Sequence, residues 1–275
     1  LLANTTGTRN VAVGTYSLDA NTTANDNTAV GYNAATAITT GTSNVAVGAS
    51  ALLTLTTGGR NVAIGHNALL LHTDASDNVA IGEYAGGAIT TGGQNTLVGG
   101  KAGDGITTAS SLTAFGYRAL SAPSCTGANN TAVGTDALLS NTTGSENVAV
   151  GTAALDANTT GISNVAVGRI ALTASTTGSS NIAVGEAAMA ANTTGGDNTA
   201  VGGNALTANT TATNNTGIGK DALKANTTGA QNTAVGALAL DANTTANDNV
   251  AIGFGALTAN TTGAENTAVG GYGAL

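Results

Sequence analysis

Small apolar and β-branched residues recur along the chain in short bursts separated by polar, turn-forming stretches. The segment NVAVGTAALDANTTGIS, beginning at Asn147, returns as NIAVGEAAMAANTTGGD from Asn181 and as NTAVGALALDANTTAND from Asn232. Aligned on the Asn before (V/T)A(V/I)G, the copies start at Asn10, Asn27, Asn44, Asn61, Asn78, Asn95, Leu112, Asn130, Asn147, Asn164, Asn181, Asn198, Asn215, Asn232, Asn249 and Asn266. Every step is 17 residues except the 18 from Leu112 to Asn130, which makes 16 copies. A unit this short has no room for two helices and a loop, and its TAVG and NTT stretches disfavour helix. Two short β segments and two turns per unit predict one coil of a parallel β-solenoid, or β-roll. The expected fold is all-β, with about 16 stacked coils in a single array over residues 1–275.

The columns of the repeat refine this picture. The fifth residue is Gly in every copy, from Gly14 to Gly270, which predicts positive φ or close approach by another backbone. The fourth is Val or Ile except at Phe115, and an Ala-Leu pair follows, as in Ala51-Leu52, Ala137-Leu138 and Ala222-Leu223. These two columns are the predicted bulky core fillers. Coils stacked about 4.7–4.9 Å apart would align the Asn and Thr columns as side-chain ladders. The extra residue lies in SAPSCTGAN, residues 121–129, with the only Pro and the only Cys. Pro123 cannot donate to a ladder, so an outward bulge is expected there. The chain opens on LLANTTG and stops soon after a final TAVG. Without a polar cap at either end, it reads as an excerpt of a longer fibre or a subunit that stacks end to end.

Composition narrows the function classes. Charged residues make up 8% and aromatic residues 3%, while Ala and Val supply most of the 41% hydrophobic content. An enzyme core draws its burial from larger side chains. No apolar run is long enough for a membrane span. Each coil buries about two aliphatic side chains, little against the entropy of ordering a whole coil. Partner chains are therefore expected. The Ala and Gly stripes of Ala12, Gly14, Ala29 and Gly31 would permit close approach between backbones, giving a homotrimer or a filament.

Candidate chemistry is sparse. His66 and His72 have no Cys or carboxylate at metal-ligand spacing and read as surface or turn histidines. Cys125 is alone, which excludes an internal disulfide. GGKAG around Lys101 lacks the spacing and the Ser or Thr of a phosphate loop. Asp26, Asp77, Glu146, Asp197, Asp248 and Glu265 scatter over turn positions without a calcium-roll signature. Seven basic against 15 acidic residues argue against nucleic acid. No catalytic, cofactor-binding or metal-binding residue is assigned, and no cofactor is expected.

Three surface features remain. Candidate glycosylation sequons stand at Asn4, Asn21, Asn129, Asn141, Asn158, Asn192, Asn209, Asn214, Asn226, Asn243 and Asn260. In the early copies the Asn of Asn-Thr-Thr becomes Ile38, Leu55, His72, Ile89 and Ile106, with Leu53, Leu70 and Leu71 nearby. Leu53, Leu55, Leu70, Ile89 and Ile106 either form an inter-chain contact or turn inward and thicken the core. Tyr16, Tyr32, Tyr84, Tyr117 and Phe254 sit at turns where they could touch a receptor or glycan.

The motif N-(V/T)-A-(V/I)-G-x-x-A-L resembles the head repeats of YadA-like trimeric autotransporter adhesins. The longer NTAVGxxALxANTTGxxN is similar to arrays in phage-type tail fibre proteins. The resemblance covers essentially the whole chain and implies a left-handed, trimeric β-roll, although the 17-residue unit is longer than the adhesin repeat. Together these readings predict a non-catalytic structural or adhesive fibre, extracellular, on a cell surface or on a virion. An alternative is an ice-binding solenoid using the Thr columns. The adjacent threonines would point to opposite faces, which leaves single file at best.

Overall fold

The computed structural model describes residues 1–271. Each repeat contributes one three-residue strand: β1 (Val11–Val13), β2 (Thr28–Val30), β3 (Val45–Val47), β4 (Val62–Ile64), β5 (Val79–Ile81), β6 (Thr96–Val98), β7 (Thr113–Phe115), β8 (Thr131–Val133), β9 (Val148–Val150), β10 (Val165–Val167), β11 (Ile182–Val184), β12 (Thr199–Val201), β13 (Thr216–Ile218), β14 (Thr233–Val235), β15 (Val250–Ile252) and β16 (Thr267–Val269). The predicted parallel β-solenoid with its 17-residue period is the observed fold, and the described residues contain no helix. The coils group into two compact units. One holds Leu1–Asp136 with Ser140–Thr143, and the other holds Ala137–Leu139 with the residues from Gly144 on.

Within the first unit β1 to β8 pair in parallel and in sequence order, with Val11 opposite Thr28 and Val13 opposite Val30. The second unit repeats this from β9 to β16. The one-residue insertion leaves the register intact, because Thr113 still pairs with Thr131. Pro123 and Ser124 form an exposed turn that absorbs it. Cys125 then bridges Ile106 and is buried.

Only one β segment per coil is regular, where the repeat predicts two. Most coils hold three left-handed non-glycine residues, as at Asn33 (φ 56°), Ala35 (φ 52°) and Ser43 (φ 61°). Each such residue costs about 1–2 kcal/mol in backbone strain. These turns cannot be extended strand, yet their amides still bond from coil to coil. Leu52 N–H donates to Ala68 O at 3.0 Å, and Asn67 N–H donates to Ala49 O at 3.1 Å.

The interior differs from expectation in one respect. Strand residues alternate faces, and it is the middle Ala that points inward, fully buried at Ala29, Ala46 and Ala149. The Val/Ile column, expected in the core, lies on the outer face together with the second residue of each repeat. The Ala stripe therefore packs the interior and is no inter-chain surface. Bulk comes from the ninth residue, Leu52, Leu138 and Leu172 among others, and from the buried Asn columns.

One local exchange shows how tightly this interior is filled. Leu97 replaces the usual Ala, while Gly86 and Gly103 replace Leu in its own and the preceding coil. A Cβ at Gly86 would lie 2.9 Å from Leu97 Cδ1, and one at Gly103 would lie 3.0 Å from Leu97 Cδ2. The single leucine takes up the volume that two would otherwise fill.

Candidate functional site

The first residue of each repeat, Asn except at Leu112, turns its side chain into the coil, and the Asn amide links three successive coils. Asn61 Nδ2 donates to Asn44 Oδ1 at 3.1 Å and to Ala75 O at 3.0 Å. Its Oδ1 accepts from the Asn78 backbone N–H at 3.0 Å and from Asn78 Nδ2 at 3.2 Å. The predicted Asn ladder is present, and it binds the chain to itself. Leu112 interrupts it, since its N–H still donates to Asn95 Oδ1 at 3.0 Å but its side chain carries nothing onward.

The Asn of Asn-Thr-Thr forms a second internal ladder. Asn226 Nδ2 donates to Asn209 Oδ1 at 3.1 Å and to Gly229 O at 2.8 Å. Among the candidate sequons, Asn21, Asn141, Asn158, Asn192, Asn209, Asn226 and Asn243 are consequently buried. A folded coil does not present these amides to a transferase. Asn4, Asn129 and Asn214 are exposed, and Asn260 is half-buried.

The early substitutions in this column also point inward. Leu55, Ile89 and Ile106, candidates for an inter-chain contact, are fully buried, as is Ile38. An aliphatic side chain in a column that faces the interior can only thicken the core. Leu53 and Leu70 lie two residues earlier in their repeats and are half-buried.

His72 occupies this same column, between coils carrying Leu55 and Ile89, and is buried rather than superficial. Its Nε2 donates to Ala75 O at 2.9 Å, and Nδ1 has no hydrogen-bond partner. Burial pushes the imidazole pKa below its ordinary value, while the Ala75 carbonyl and Asp74 pull the other way. The native coil thus holds His72 neutral, whereas the unfolded chain takes up a proton near pH 6.5. Stability is retained above about pH 6.5 and lost as pH falls through the window below it. We expect the thermal midpoint of the wild type to drop between pH 7 and pH 5, and that of His72→Leu to drop measurably less.

The other polar groups pair along the stack. Arg9 meets Asp26, with Nε to Oδ1 at 2.5 Å, and Arg60 meets Asp77 at 2.6 Å. Arg169 meets Glu186 on the surface. Cys125 is a free, buried thiol with its pKa raised by burial. Among the described residues, no three His, Cys, Asp or Glu side chains stand together as metal ligands, and no pocket is enclosed.

Among the described residues, the outer strand face of each unit is a surface without a partner. Its two columns are the second and fourth residues of every repeat, and all are Thr, Val or Ile except Phe115. Neither column contains a charged residue. Val13, Ile64, Ile81, Phe115, Ile182 and Ile252 are exposed on it. Sequence reading placed half of this face in the core; the signal for the face was the absence of charge from two alternate columns. The Thr pair of Asn-Thr-Thr divides its roles. The first hydroxyl donates across the coils, as Thr159 Oγ1 does to Thr176 O at 3.0 Å, and the second threonine is exposed, as at Thr160.

No protein-family model, curated protein or solved structure matches the chain.

Proposed function

We infer that the chain is the shaft of an extracellular structural or adhesive fibre, non-catalytic and self-associating side by side. The observation that carries this reading is the charge-free face of β-branched side chains repeated in every coil. Isolated apolar residues on a surface need no explanation, but a contiguous apolar strip usually marks an interaction surface. Within each unit the in-register strands give a second copy a repetitive partner, and each coil adds the same small contact. The likeness of the repeat to YadA-like heads supports the same assignment to a surface or virion fibre.

The test is the oligomeric mass in solution. The wild type should run as a homo-oligomer by light scattering. The triple variant Ile64→Lys, Ile81→Lys and Phe115→Lys places cations at exposed positions of the fourth column and should run as a monomer with unchanged far-ultraviolet circular dichroism. A monomeric wild type, or a variant with the wild-type mass, overturns the reading. Ice binding through Asn-Thr-Thr would have to use the single exposed threonine column; thermal hysteresis in the wild type would favour it over the fibre.

A further inference from the structure

A second surface lies beyond the strand face, at the sixth and seventh positions just past the column of glycines. In the first unit this strip carries exposed rings at Tyr16, Tyr32, His66 and Tyr117, with Tyr84 half-exposed. The rings are organised into platforms. Tyr16 and Tyr32, from successive coils, meet edge to face with centroids 6.1 Å apart at 68°. His66 and Tyr84 do the same at 5.6 Å and 88°. Tyr117 lies over the backbone of Gly100, where a Cβ would be 3.5 Å from its Cδ2. The platforms recur every two to three coils along one line, about 10–14 Å apart at the β spacing. Among the described residues, the same columns of the second unit carry one ring, Phe254.

We propose that this strip binds a neutral, extended polysaccharide lying along the stack. A pyranose ring offers C–H bonds on one face and hydroxyls at its rim, and an exposed tyrosine offers a flat apolar body with a wet polar tip. Edge-to-face pairing fixes the rings before a ligand arrives, which lowers the ordering cost of binding. The strip has little net charge to attract a polyanion, because His66 lies 3.8 Å from Glu83 and Arg118 lies 3.5 Å from Asp136. It is also flat, with no pocket for a compact ligand. A linear polymer is the partner that meets several platforms at once, so that weak contacts add. The proposal goes beyond the shaft reading and uses a face distinct from the strand face.

The repeat itself supplies the variants. Asn33 and Asn67 occupy the position of Tyr16 and Tyr84, and Thr135 and Thr152 occupy that of Tyr32 and Tyr117. The quadruple change Tyr16→Asn, Tyr32→Thr, Tyr84→Asn and Tyr117→Thr therefore installs residues the coil already accepts. The full chain should be retained by insoluble β-1,4-glucan, insensitively to salt, and the quadruple variant should lose affinity tenfold or more. Replacement of the same four tyrosines by Phe, which keeps the rings, should stay within threefold of the wild type. No retention of the wild type by the glucan, or equal retention of the Asn/Thr variant, overturns the proposal. So does salt-sensitive retention on polygalacturonate in place of the glucan. Oligomeric mass should be the same for all forms, so failure here is separate from failure of side-by-side assembly; a mass change in the Asn/Thr variant would assign the strip to assembly and overturn glycan binding.

Discussion

Two adjacent glycines should respond oppositely to the same substitution. Gly202→Ala should lower stability by about 3 kcal/mol or more, whereas Gly203→Ala should be neutral or slightly stabilising, by up to about 1 kcal/mol. Gly202 belongs to the invariant fifth column and has φ +134°. A Cβ there would lie 2.6 Å from the carbonyl carbon and oxygen of Gly219 and 3.0 Å from Lys220 N. Those atoms are the backbone of the next coil, which cannot swing aside as a side chain would. Moving it would break the bond from Gly219 N–H to Val201 O, 2.7 Å long. Gly203 faces open space, with nothing within 4 Å of its would-be Cβ. Denaturant titration of the two variants beside the wild type reads both effects; equal midpoints would show that the glycine column is not what lets the coils close on one another.

The second large effect is expected at Asn181. Its side chain donates to Asn164 Oδ1 at 3.2 Å and to Gly195 O at 2.8 Å, and accepts from Asn198 N at 3.1 Å. Asn181→Ala leaves a buried N–H and a buried carbonyl without these partners, at about 1–3 kcal/mol for each orphaned group. The expected loss is therefore about 2–6 kcal/mol. Thr193→Val should cost about 0.5–1.5 kcal/mol, because it removes one half-buried hydroxyl bond, to Thr210 O at 3.0 Å. Comparable losses for the two variants in thermal or denaturant unfolding would contradict the ranking of the two ladders.

Much of this architecture was legible in the sequence. The spacing of the Asn and Gly columns specifies one coil per 17 residues, and the unvarying Gly specifies a backbone approached too closely for any side chain. The Asn ladder followed from the same alignment. What the columns could not specify was direction. In a three-residue strand such as Val45–Val47, two bulky residues flank one Ala, and the usual preference for large apolar residues inside gives the wrong orientation. Leu55, Ile89 and Ile106 posed the same ambiguity, since an aliphatic residue in a polar column suits either an interface or a core. His72 stands in the same column, between Leu55 and Ile89 of the adjacent coils, so its burial hung on the same undecided orientation.

By itself, then, the sequence determined the period, the parallel stacking and the register, because those depend on local turn geometry and on identical residues meeting identical residues. Tertiary structure alone decided which columns face in. The coil interior is narrow, and the ninth-position leucines with two Asn columns already fill it, so the centre of the strand takes Ala except where Gly86 and Gly103 make room for Leu97 or Gly217 stands, and the β-branched residues are forced outward. That same limit on volume exchanges two leucines for Gly86 and Gly103 around Leu97, withdraws the Asn-Thr-Thr amides from solvent, and leaves the charge-free strand face available to a partner.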